Sequence, residues 1–176
     1  KATGEPLDVA IDGVGFLEVT RADGTPAYTR AGKLHIDADG MLALPDGSVL
    51  AEQIQIPTDA KEIRIAADGR VLIVTANDSN PVEVGRLQLA TFPNPGQLKA
   101  VGDNLYVAPA EAGEPQVANP MESGAGALRQ GHLESSNVQL ADELVTLMLA
   151  QRAFELNARV VQAADQMMAI TNSLYR

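Results

Sequence analysis

The sequence predicts a mainly β protein with a long C-terminal α-helix: an antiparallel, hairpin-rich β domain followed by an extended helix. Three observations lead there. Five Asp-Gly pairs punctuate the first half of the chain. Short apolar segments between them alternate with a period of two. Finally, Pro120 is the last proline and Gly131 the last glycine of 176 residues, so nothing breaks a helix in the C-terminal fifth.

The Asp-Gly pairs are Asp12-Gly13, Asp23-Gly24, Asp39-Gly40, Asp46-Gly47 and Asp68-Gly69. Asp tolerates left-handed backbone and Gly meets no Cβ penalty there, so the pair favours tight turns between antiparallel strands. Gly13 and Gly40 are therefore predicted as structural turns, Gly13 in a hairpin, and Gly15 as a bulge or close packing point. Alternation is clear in Phe16, Glu18 and Thr20 against Leu17 and Val19, and in Leu34 and Ile36 against Lys33, His35 and Asp37. Further strands are expected at "QIQI" (53–56), "IRI" (63–65), "VLIVT" (71–75) and, longest, "VEVGRLQLATF" (82–92). "FPNPG" (92–96) ends the last of these. Three segments result: a β domain at 1–108, an irregular connector with a short strand at 109–137, and the helix at 138–176. Ser136 with Gln139 fits a capping box, and Asp142 and Glu143 suit the positive helix start.

Composition narrows the core and the partners. Hydrophobic residues make up 45% and aromatics 3%, with no tryptophan, so the core must be Val, Ile, Leu and Ala. A net charge of −10 speaks against nucleic acid, because phosphate binding needs a basic face. Residues 138–176 hold four acids and three arginines, a net of −1, so −9 falls on the rest of the chain. The absence of cysteine removes disulfides and thiolate chemistry. No apolar run reaches the roughly 18 residues of a membrane span, and no signal peptide is visible.

Placed at about 100° per residue, the helix carries two apolar stripes on roughly opposite sides. One includes Val145, Leu149, Leu156, Val160 and Met167. The other includes Leu140, Leu144, Leu147, Phe154, Val161 and Met168, and drifts as a seven-residue repeat does. A helix lying on one domain needs one stripe, with charge opposite. Two stripes need two neighbours. Burial of both in a thick monomer core is the alternative, but no other long helix is predicted to line it. These eleven residues are therefore expected to form an assembly interface.

No chemical motif rises above background. "GVGFLE" (13–18) begins like a dinucleotide fingerprint, but Glu18 replaces the third glycine and a strand follows. "DADG" (37–40) lacks the later ligands of a calcium loop. His35 and His132 are far apart in sequence, and no serine stands in a nucleophile elbow. Asp37 with Asp39, and Asp142 with Glu143, are ordinary in an acidic chain. No catalytic, cofactor-binding or metal-ligating residue is assigned, no cofactor is expected, and the chain reads as a non-enzyme.

The assembled segments resemble the flagellar rod and hook family of axial proteins. "LDVAIDGVGFLEV" (7–19) looks like that family's opening of its β domain. "AYTRAGKLHIDADGML" (27–42) resembles its Tyr-Thr-Arg segment through Tyr28, Thr29, Arg30, Gly32, Asp37, Gly40 and Leu42. "GDNLY" (102–106) and "LESSNVQLADELVTLMLAQRAFELNARVVQAADQMM" (133–168) match later signatures. The C-terminal segment is most similar to the distal-rod branch, with a proximal-rod or hook-type subunit as runner-up. A β-rich binding module with a helical tail is a more distant alternative, disfavoured by the scarcity of aromatics. The resemblance implies a structural subunit of the distal rod, exported without a cleaved signal peptide and polymerised into a hollow, periplasm-spanning drive shaft. Its partners would be other copies, the proximal rod and hook proteins, and ring proteins of the periplasm and outer membrane, with no nucleic acid and no small-molecule substrate. Family members also begin with a helical segment that pairs with the C-terminal helix. The present sequence opens at the β domain, so one stripe is expected to lack its partner.

Overall fold

A computed structural model describes residues 1–76, 80–135 and 140–174, and within the helix the side chains of 144–162, 164 and 166–168. Contacts divide the chain into two units, Lys1–Ser135 and Ser136–Arg176. The first is built from short strands: β1 (Val9–Asp12), β2 (Leu17–Thr20), β3 (Pro26–Thr29), β4 (His35–Ile36), β5 (Leu42–Ala43), β6 (Val49–Leu50) and β7 (Ala60–Ile65). These are followed by β8 (Arg70–Thr75), β9 (Val82–Arg86), β10 (Leu89–Thr91), β11 (Lys99–Gly102), β12 (Leu105–Val107), β13 (Gln116–Ala118) and β14 (Ala127–Gln130). The second unit holds the helix α1 (Leu140–Leu174).

Among the described residues every strand pairing is antiparallel. Seven strands form one sheet in the order β11-β12-β3-β2-β6-β5-β4, and β7-β8-β9 form another. Two further pairs, β1-β14 and β10-β13, close contacts between distant parts of the chain. Four of the five Asp-Gly pairs turn local hairpins: β2-β3, β4-β5, β5-β6 and β7-β8. Asp12-Gly13 does not. β1 pairs with β14 and β2 with β3, so Gly13 lies in the bend between two pairings and not in a hairpin.

Alternation holds in β2, where Leu17 and Val19 are buried and Thr20 is exposed. It fails in β4, where both His35 and Ile36 are exposed while Leu34 just before them is buried. Ile54 and Ile56 are buried as a strand pattern requires, but "QIQI" makes only an isolated bridge, Gln55 to Met41. The predicted long strand at 82–92 is two strands in two different sheets. Its break is set by partners distant in sequence. The Leu87 amide donates to Gly69 O at 2.8 Å, one step past the Arg70–Arg86 pair that ends β9, and the Gln88 amide leaves the ladder for the Glu52 carboxylate at 2.7 Å.

The 109–137 stretch contains a 3₁₀ turn at Ala110–Ala112 as well as β13 and β14. The core is aliphatic, as the composition requires. Val9, Leu17, Val19, Leu42, Leu50, Val71, Leu87 and Leu89 lose all solvent contact. Each contributes about 1.5–3 kcal/mol of transfer free energy, before the entropy of ordering the chain is set against it. Most of the aromatics gather in a second cluster around Tyr28, Ala90, Phe92 and Ala112, with Phe16 and Tyr106 against it. Their rings meet edge to face, with centroids 4.8 Å apart for Tyr28–Phe92 and 6.0 Å for Phe16–Phe92.

Candidate assembly interface

Helix α1 runs for 35 residues, about 52 Å at 1.5 Å per residue. Its length follows from sequence: no Gly or Pro interrupts it, and Ala, Leu, Gln, Arg and Met supply high helix propensity. Of the eleven predicted interface residues, the Leu140 side chain lies outside the described residues. The other ten are exposed. Val145, Leu149, Leu156, Val160 and Met167 stand on one side, and Leu144, Leu147, Phe154, Val161 and Met168 on the other, from 54% exposed at Val145 to 77% at Phe154. Met148, 62% exposed, lies on the flank between the two sides, one heptad before Glu155. Isolated exposed apolar residues are ordinary on a protein surface, but a ten-membered, two-sided set on one helix is not. No described helix is long and apolar enough to cross a membrane.

Gly13 is placed against backbone and Gly15 against a core side chain. An added Cβ on Gly13 would stand 2.9 Å from the Gly126 Cα, and on Gly15 3.1 Å from the Leu89 Cβ. Gly40, at φ 81°, closes the turn in which its amide donates to Asp37 O at 3.1 Å. The Asp37 carboxylate accepts from the amides of Asp39 (2.9 Å) and Met41 (2.8 Å). "DADG" is thus a turn whose carboxylate is occupied by backbone.

Among the described residues, no group of three or more His, Cys, Asp or Glu is arranged to hold a metal ion. His35 is exposed, and the His132 ring lies 2.9 Å from Gln130 O. Glu52 lies in an open depression with Glu18, Gln88 and Val117. Burial pushes its carboxyl above the usual range and nearby Glu18 adds to this, while the Gln88 amide pulls the other way. One of its oxygens is buried with no partner. Among the residues lining this depression, Glu18 is the other titratable group, and no nucleophile stands beside the pair.

The body and the helix each match a known family. Residues 10–73 match the Flagellar hook protein FlgE/F/G D1 domain, and residues 129–174 the Flagellar basal body rod FlgEFG protein C-terminal segment. The Flagellar basal-body rod protein FlgF of Salmonella typhimurium is 31% identical over 98% of this chain and 69% of its own length. The chain belongs to the flagellar rod and hook family. Within this rod and hook family, identity is higher to FlgG proteins. Flagellar basal-body rod protein FlgG of Caulobacter vibrioides is 40% identical over 98% of the chain, and that of Bacillus subtilis 39% over 96%. The chain spans 66% and 65% of the length of those two relatives.

Two rod-family motifs now have physical roles. In the Tyr-Thr-Arg segment, Tyr28 packs in the aromatic cluster and buried Thr29 donates to Asn104 O at 2.9 Å, tying β3 to the turn before β12. That turn is the "GDNLY" signature. Asp103 and Asn104 both take positive φ there, a conformation that short polar side chains tolerate.

Proposed function

We propose that the chain is a structural, non-enzymatic subunit of the distal rod that polymerises helically into the hollow shaft carrying torque from motor to hook. The observation that carries this reading is the pair of apolar stripes on opposite sides of α1, both exposed in the single chain. A helix so built is complete only between two neighbours, and head-to-tail contacts repeated by symmetry give open filaments. The higher identity to FlgG than to FlgF favours the distal rod; the 31% identity to FlgF keeps a proximal-rod subunit as the second reading.

In this reading α1 makes the inner contacts and the acidic β unit the outer layer, where its charge limits non-specific adhesion. Other copies and the neighbouring rod and hook proteins are the partners, with ring proteins of the periplasm and outer membrane around them. The site of action is the periplasm-spanning part of the basal body, reached by export without a cleaved signal. Sedimentation and electron microscopy of this chain, beside a version extended to its relatives' full length, test the proposal. Tubes from the longer version support it. A longer version that restores motility to a rod-deficient strain yet never polymerises, alone or on rod fragments, overturns it.

A further inference from the structure

The last residues before the helical unit, 131–135, are held by two sets of contacts. The first is backbone pairing with the chain's opening residues. The Leu133 amide donates to Lys1 O at 2.9 Å, Ala2 bridges His132, and the Thr3 amide donates to Gly131 O at 2.8 Å. The second is a single side chain. Arg30 Nε donates to Glu134 Oε2 at 2.7 Å. Its two terminal nitrogens donate to Gly13 O (3.1 Å), Gly15 O (3.0 Å) and Ile11 O (3.3 Å). The guanidinium also stands 5.8 Å from the centroid of the Phe16 ring.

Arg30 thus spends its planar fork on three carbonyls of the 11–15 bend and one carboxylate near the end of the β unit. Only a guanidinium has enough donors in fixed geometry for this; an ammonium has not. The three carbonyl bonds and the ring fix the Arg30 head independently of Glu134. A rigid charged donor is therefore presented to one acceptor, two residues before the second unit begins at Ser136. An exposed ion pair between two mobile side chains contributes little. This one differs because one partner is already immobilised, so only Glu134 loses freedom when the pair forms.

We propose that Arg30 is a positioning residue for assembly: through Glu134 it anchors the point at which the chain leaves the β unit for the assembly helix. It rests on the assembly reading above. A subunit that repeats in a helical array must present its helix from the same place every time, and a loose exit spreads that presentation over many geometries.

Glu134→Gln tests the anchor while leaving the three carbonyl bonds of Arg30 in place. In this chain, amide exchange at Leu133 should become about tenfold faster, with exchange in β2 and β3 unchanged. In the full-length protein the same variant should assemble several-fold less well, Glu134→Asp should recover part of the loss, and Arg30→Lys, which also gives up carbonyl bonds of the 11–15 bend, should lose at least as much as Glu134→Gln. Unchanged exchange at Leu133 in Glu134→Gln overturns the anchor. Faster exchange with normal assembly overturns the positioning role alone. Failure of the assembly reading shows separately, as normal assembly in variants that place a charge on both faces of α1.

Discussion

Gly32 and Val9 meet backbone to backbone. The Val9 amide donates to Gly32 O at 2.8 Å, and a Cβ built on Gly32 would overlap the Val9 carbonyl oxygen. Val9 is fully buried and opens β1, so the obstacle is main chain that cannot turn aside.

Gly32→Ala should therefore destabilise the β unit by on the order of 3 kcal/mol, as forced overpacking against backbone does. Gly24→Ala is the control. Gly24 takes φ +79° with nothing within 4 Å of the added Cβ, so only backbone strain is introduced, roughly 1 kcal/mol. Urea denaturation of both variants checks the ranking. Equal losses would show that local backbone freedom, not the approach of β1, decides these sites.

On α1, Phe154→Asp and Leu156→Asp place a charge on each of the two apolar faces. In the full-length protein each should cut assembly by more than about tenfold, since each position forgoes roughly 1.5–3 kcal/mol of burial. Melting of the β unit should not move. Glu155→Gln, between the faces, should assemble normally. Sedimentation of the three variants, with motility as second readout, decides. Intact assembly in both Asp variants removes the two-sided argument.

Glu52 should impose a pH dependence of a specific sign. Its folded carboxyl titrates above the ordinary value of 4.5, chiefly because burial disfavours the charge. The folded state then holds the proton more tightly than the unfolded chain. The group costs stability at neutral pH, and that cost fades as pH falls through the folded pKa toward 4.5. Glu52→Gln keeps an acceptor for the Gln88 amide. The stability difference between variant and parent should become more favourable to the variant between pH 4 and pH 7, measured by denaturation at several pH values. A difference independent of pH rules out the titration.

Asp23 shows the opposite sign. The Thr25 hydroxyl donates to its carboxylate at 2.5 Å and the Thr25 amide at 2.9 Å, and the hydroxyl is the largest cause holding its pKa below 3.8. Stability from this pair is present above the ordinary value and lost as pH falls through the lowered one. Thr25→Val should raise the Asp23 pKa toward 3.8, seen as a shifted titration of its carboxyl carbon by NMR. No movement would assign the shift to the turn backbone instead.

What was legible in the sequence follows the range of the interaction. The turns at Gly24, Gly40, Gly47 and Gly69 could be read because the physics is confined to a few consecutive residues. The helix could be read because Val138 to Leu174 contains no breaker and its stripes need only angular bookkeeping. The split of 82–92 could not, since it depends on Gly69 and Glu52 claiming the amides of Leu87 and Gln88 from elsewhere. Gly13 misled for a related reason. Asp-Gly chemistry bends the chain there, but which strand pairs with β1 is decided more than a hundred residues later, at Ala127–Gln130. Arg30 was visible only as part of a motif; its partners at 11–15 and 134 come together through tertiary folding.

The β1-β14 pairing carries a consequence for the order of events in folding. Val9 faces Gln130 and Asp12 faces Ala127, so this pairing joins the first described strand of the β unit to its last. As the chain emerges from the ribosome in sequence order, the local hairpins can form early. The seam cannot close until residue 130 is out. Such distant pairings raise contact order and slow the final step. Until then β1 has an open edge and Val9 and Ile11 lack their cover, which makes the unfinished subunit the form most exposed to wrong partners.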